Sequence, residues 1–315
     1  MDTETSSAST SMSEARRRQI AKLRRELGPV ILDALDDPLV VEVMLNPDGK
    51  IWIDKIGQEM TEIGYMDPVT ADSLISTLAT LSRKQITEAN PAIHTSLPLR
   101  GERFAGLMPP AVESVTFAIR KKAAKIFTLD EYVERGIMTQ AIADEIREAT
   151  ISHKNILVAG GTGSGKSTLT NAILHALAEA IGNSERILII EDVAELQCAV
   201  PNTVFMRATE FRTQNELLFD AMRLRPDRIM LGEVRDKAAH TLLKAWNTGH
   251  PGGICTIHAD TAESTLERLD DLCMEAGVPS QMAAIRRAIH MVVYIEKDPD
   301  GTRRVLPPFY PSKML

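Results

Sequence analysis

Aromatic side chains are scarce: Phe, Trp and Tyr make up 4% of the 315 residues. That argues against a platform of stacked rings for single-stranded nucleic acid. Cysteine is scarcer still. Cys198, Cys255 and Cys273 form no C-x-x-C pair, which excludes a zinc ribbon and a disulfide-stapled scaffold and leaves them as small core residues. No apolar run approaches the roughly 18 residues of a membrane-spanning helix. The densest, Ile187 to Ile190, has the length of a core strand. Base is not in excess either: 36 Lys and Arg stand against 43 Asp and Glu, a formal charge of −7. Direct DNA binding is therefore not expected. Residues 1–13 lack the basic start and apolar middle of a secretory signal, so the expected location is cytoplasmic.

What is present is an ordinary globular composition, 44% hydrophobic and 25% charged, and a length that predicts two domains at roughly 150 residues each. Residues 1–13 read as a disordered Ser/Thr-rich tail. From Glu14 to about Leu35, the apolar residues Ile20, Leu23, Leu27, Val30 and Ile31 recur at helical spacing. The rest of that helix carries Arg16, Arg17, Arg18, Lys22, Arg24 and Arg25. This is either a solvated face or a basic segment resting on an anionic membrane surface.

A hairpin is predicted over Val40–Leu45 and Ile51–Ile53 through the Asn46-Pro47-Asp48-Gly49 turn. The pattern then gives a helix over 70–81, a loop over 96–104 and a strand over 115–120. Residues 14–125 thus read as a small α+β domain, 126–137 as a linker, and 138–315 as a second domain. In that second domain strands alternate with helices. Strands are predicted at 155–159, 186–190, 203–207, 228–231 and 253–257, with helices between them and a terminal hairpin at 291–295 and 304–306. Such alternation is the mark of an α/β unit with a mostly parallel sheet.

The chemistry is concentrated after the first of those strands. Gly160, Gly161, Thr162, Gly163, Ser164, Gly165, Lys166 and Ser167 fit G-x-x-x-x-G-K-S/T between a strand and a helix. Glycines there let backbone N–H groups converge on phosphate oxygens, and the helix adds its positive end. Lys166 is expected on the β- and γ-phosphates, Ser167 on Mg²⁺ and Thr168 at the α-phosphate. The chain is therefore expected to bind ATP.

Hydrolysis also needs acidic groups on neighbouring strand ends. One strand ends in Glu191-Asp192, with Glu195 close behind, and another in Gly232-Glu233, where glycine replaces the usual Walker-type Asp. Mg²⁺ is then expected to rely on Ser167, waters and the Glu191/Asp192 pair. Glu233 becomes the base or water-positioning group. The plainer alternative for Glu191 and Asp192 is ordinary strand-to-loop polarity. His258 ends a further strand, where a side chain faces the ligand crevice of such a sheet; it is expected to sense the γ-phosphate.

With these residues in view the sequence resembles a known family. Arg223 to Asp236 reads R-x-x-P-D-x-h-h-h-G-E-h-R-D, the signature of secretion ATPases. The P-loop, the Glu191-Asp192 box and the Gly249–His258 box follow in that family's order, although Val193-Ala194 departs from the proline-isoleucine often found in relatives such as PilT. Within the superfamily the chain is most similar to TrbB and VirB-type ATPases of conjugative type IV secretion. The resemblance implies a RecA-like P-loop core with a smaller α+β N-terminal domain and a homo-hexameric ring with ATP between the domains. It places Arg103 and Arg120 as arginines that close over the phosphates.

The function so implied is an ATP-hydrolysing motor for a conjugative type IV machine, peripherally placed at the cytoplasmic face of the inner membrane and contacting inner-membrane channel components. Type II secretion or pilus ATPases and an ATP-gated scaffold with little hydrolysis are the alternatives. The paired C-x-x-C zinc module of many type II relatives is missing here.

Overall fold

Helix α1 (Glu14–Asp36) buries Leu23, Leu27, Ile31 and Leu35, one residue per turn. Each such side chain contributes about 1.5–3 kcal/mol. Gly28 interrupts the helix with φ of 70° ahead of Pro29, which has no N–H to give. That break shifts the helical phase and leaves Val30, expected on the apolar face, 40% exposed. The computed structural model describes residues 14–55, 58–121, 126–209, 211–298 and 301–314; the expected tail over 1–13 lies outside them. The chain divides into two compact units, Met1–Ala124 and Lys125–Leu315.

The first unit continues with β1 (Val40–Leu45), β2 (Lys50–Lys55) and β3 (Thr61–Tyr65). Gly49 closes the β1–β2 turn at φ of 80°, and a Cβ there would lie 2.4 Å from the Tyr65 ring. Helix α2 (Pro68–Ser82) starts on Asp67, whose carboxylate accepts from the Thr70 N–H, with Pro68 in the first turn. Then come β4 (Ala92–Ser96), β5 (Arg103–Leu107) and β6 (Thr116–Arg120). They form a six-stranded antiparallel sheet of order β3-β2-β1-β6-β5-β4.

The loop expected over 96–104 shrinks to a turn over 97–102, because Ser96 pairs with Arg103 and Thr95 with Phe104. Pro98 and Gly101 mark the turn. The short, polar β4 has no apolar run to announce it. Phe104 and Phe117 pack with ring centroids 5.1 Å apart in the core under α1 and α2.

The second unit opens with α3 (Leu129–Glu134) and α4 (Gln140–Ile151). Thr128 and Glu131 cap α3 reciprocally, and Leu129 and Tyr132 are buried with Phe127 and Ile137 against them. The stretch 126–137, expected as a linker, is therefore part of the second unit's core: its apolar spacing was too short to stand out beside Gly136.

There follow β7 (Ile156–Gly160), α5 (Lys166–Ile181), β8 (Ile187–Glu191), β9 (Thr203–Arg207), α6 (Gln214–Ala221), β10 (Arg228–Glu233) and α7 (Ala238–Asn247). Then come β11 (Ile254–His258), α8 (Ser264–Met274), α9 (Met282–Ala288), β12 (Met291–Lys297) and β13 (Arg303–Val305), followed by a 3₁₀ turn over Pro311–Met314. The sheet order is β13-β12-β7-β11-β10-β8-β9, parallel except for the β12–β13 hairpin. Apolar clusters cover both faces, so β7 and β8 are buried at every position. Among the described residues no helix is long and apolar enough to cross a membrane.

Candidate nucleotide site

Strand β7 delivers the chain to Gly160, where a Cβ would stand 2.2 Å from the Ile295 carbonyl oxygen of β12. Only glycine fits that approach. Gly163 and Gly165 have φ of 70° and 106°, the left-handed region that glycine enters without strain. Gly161, Thr162 and Gly163 are exposed at the mouth of the turn, while Ser164 is buried. Its Oγ has no hydrogen-bond partner among the described residues.

Lys166 folds back into the loop. Its Nζ donates to the carbonyl oxygens of Gly160 (2.9 Å) and Gly161 (2.8 Å) and lies 3.2 Å from His258 Nδ1. Burial lowers the ammonium's pKa, against the opposing charges of Glu233 and Glu195. Ser167 Oγ donates to Glu195 Oε2 at 2.5 Å. Thr168 sits half-buried in the first turn of α5.

The acidic residues behave differently from one another. Glu191 is 2% exposed, and its Oε1 accepts the backbone N–H groups of Glu195 and Leu196, both at 2.8 Å. Burial pushes its pKa up, and those N–H bonds pull the other way. Burial likewise raises Asp192, which has Arg235 at 3.9 Å. Glu191 and Asp192 are expected near Mg²⁺ beside Ser167; the carboxylate on the Ser167 hydroxyl is instead that of Glu195. Glu191 folds the following loop, and that loop carries Glu195 to the hydroxyl. Gly232, in the Walker-type position, leaves room for the same glutamate, since a Cβ there would meet Glu191 Cγ at 2.9 Å.

Glu233, at the end of β10, is the hub. Its Oε1 lies 3.0 Å from His258 Nε2, and its Oε2 accepts from Arg235 Nε at 2.8 Å. The Arg235 guanidinium also closes on it through Nη2, and this bond raises the arginine's pKa. Burial, then the charge of Lys166, lowers His258. A neutral imidazole with Nε2–H toward Glu233 and a lone pair on Nδ1 toward the ammonium satisfies both contacts.

The structure thus brings together Lys166, His258 and Glu233, and it sets Ser167 with Glu195. Arg103 and Arg120 stand directly opposite each other on β5 and β6 of the first unit, on one face of that sheet. Three contributors escaped sequence reading. Glu195 follows the acidic strand end with nothing in the sequence to tie it to Ser167, and Arg235 lies inside the Arg223–Asp236 signature with no local cue to its pairing with Glu233. Arg303 has no motif at all, yet its Nε comes 3.4 Å from where a Cβ on Gly165 would be.

A parallel sheet carrying a P-loop, with an acid–histidine pair on its next strands, defines a RecA-like nucleotide-binding core joined to a smaller α+β domain. The model of the Type II/IV secretion system protein family matches residues 26–296; the chain belongs to that family. It is 46% identical over 286 residues to the probable conjugal transfer protein TrbB of Sinorhizobium fredii, covering 91% of this chain and 88% of that protein. It is 30% identical over 308 residues to the type IV secretion system protein VirB11 of Bartonella quintana, covering 82% and 85%. Among solved structures, the VirB11 ATPase of the Brucella suis type IV secretion system, in complex with sulphate, aligns at TM-score 0.50 and 26% identity. That match covers 96% of this chain and 98% of that one.

Proposed function

We propose that this chain is the ATP-hydrolysing motor of a conjugative type IV secretion system. The contact chain Lys166–His258–Glu233, which ties the P-loop to the end of β10, is the observation that carries this reading. On it, Lys166 leaves the Gly160 and Gly161 carbonyls for the β- and γ-phosphates. The loop N–H groups hold the remaining oxygens. Ser167 and Glu195 present two hard oxygen donors side by side, which suits Mg²⁺. A bound Mg²⁺ would supply charge to the β- and γ-oxygens. Glu233 orients the attacking water and takes its proton. The water oxygen bonds to the γ-phosphorus, and the bond to the β,γ-bridging oxygen breaks, leaving ADP and inorganic phosphate.

His258, held between Lys166 and Glu233, reports the presence of the γ-phosphate. Arg103 and Arg120 supply further positive charge to the phosphates, a use that offsets the cost of placing like charges opposite each other. The working form in this reading is a homo-hexamer at the cytoplasmic face of the inner membrane, engaging channel components there. The six cations of α1, Arg16 to Arg25, are exposed and suit anionic headgroups.

Steady-state ATPase assays of the full chain with Mg²⁺, with and without anionic vesicles, test this. Lys166→Ala is expected to lower turnover about a thousandfold, and vesicles are expected to raise the wild-type rate. Normal turnover in Lys166→Ala would sink the motor reading. Indifference to vesicles, with no co-sedimentation, would remove the membrane from it.

A further inference from the structure

Beyond His258 and Glu233 lies a cavity of about 180 Å³, lined by Glu233, Val234, Arg235, Ile257, His258 and Arg268. Val234 and Ile257 are buried and give it an apolar wall, which strengthens electrostatics nearby. Its charges do not balance. Arg235 is held by Glu233, but Arg268, on α8, has no ion-pair or hydrogen-bond partner among the described residues. Within the lining, one carboxylate therefore faces two guanidinium groups, with Asp192 reaching Arg235 from outside it at 3.9 Å.

A water takes about 30 Å³, so a tetrahedral anion fits with part of its hydration. We propose that this cavity is a binding site for inorganic phosphate, anchored by Arg268, where the phosphate cleaved from ATP pauses before leaving. It adjoins Glu233, the group that handles the attacking water, so the product needs only to pass His258 to enter. A planar, always-charged guanidinium suits phosphate oxygens, two at a time. Once seated, the anion also competes with Glu233 for Arg235. The inference rests on the ATPase reading for the origin of the phosphate, though not for its binding.

The test is titration of the full-length, ADP-loaded chain with inorganic phosphate, by calorimetry or ³¹P line broadening. Arg268→Gln is expected to weaken phosphate about tenfold, with ADP affinity unchanged, and Arg268→Lys to recover most of the loss. Equal phosphate affinity in Arg268→Gln and wild type, or no phosphate binding in wild type, overturns the site. So does a parallel loss of ADP affinity, which would mark damage to α8. A wild-type chain that binds phosphate through Arg268 yet turns over no ATP would overturn the ATPase reading and leave the site standing.

Discussion

The two sheets bury themselves in different ways. In the first unit, β1 and β2 alternate buried and half-exposed positions, with α1 and α2 packed into one core beneath the sheet. In the second, β7 and β8 are buried at every residue between two apolar clusters. A sheet covered on both faces leaves only its strand ends for chemistry, and Gly160, Glu191, Glu233 and His258 all sit at such ends. A one-sided sheet has a second face free to carry charge, as Arg103 and Arg120 do. Core truncations sharpen this contrast most. Phe104→Ala and Leu157→Ala both empty fully buried sites, expected to cost about 3–5 and about 2–5 kcal/mol respectively. Unit-resolved hydrogen exchange should show Phe104→Ala loosening the first sheet while ATP binding persists, and Leu157→Ala abolishing it. Loss of binding in both would break the separation.

The next effect divides two glutamates on neighbouring strands. Glu233→Gln retains the size and a carbonyl acceptor for His258 but cannot take a proton. A fall of about a hundredfold in kcat with ATP still bound is expected. Glu191→Gln also keeps the acceptor that the Glu195 and Leu196 N–H groups need, and its kcat is expected to stay within about threefold of wild type. Single-turnover kinetics would compare them. Equal losses would return Glu191 to the chemistry.

Legibility in the sequence followed the same division. Continuous apolar runs such as Ile187 to Ile190 announce the parallel strands, and the G-x-x-x-x-G-K-S/T motif marks the start of the helix at Lys166. In the first unit, β3 and β4 were silent, since Thr61–Tyr65 and Ala92–Ser96 offer neither a run nor a clean alternation. For the site, motif spacing located the P-loop, Glu233 and His258. It missed Glu195 against Ser167, because a turn wrapped around a buried carboxylate sets that contact. No local signal could place Arg268 or Arg303: each reaches its position through the packing of a distant element.

Acid should separate the units by a smaller margin. Burial is the largest cause lowering His240, His258 and His290, all in the second unit. The folded chain therefore favours their neutral forms. Below the ordinary value of 6.5 the unfolded chain binds more protons, so stability falls as pH drops from there toward the depressed folded values. Glu191 and Asp192 act oppositely, since burial raises them above 4.5 and 3.8; protonating them as pH falls relieves that cost. In the first unit, Asp37 and Asp67 are lowered by hydrogen bonds. Their contribution is present above 3.8 and is lost only below it. Between pH 7.5 and 5.5, softening should therefore appear in the second unit by hydrogen exchange, with the first unchanged. His258→Gln should reduce the accompanying drop in Tm by about 1–2 °C. An identical pH slope in that variant would show that His258 titrates alike in the folded and unfolded chains, and that its place between Lys166 and Glu233 carries no electrostatic cost.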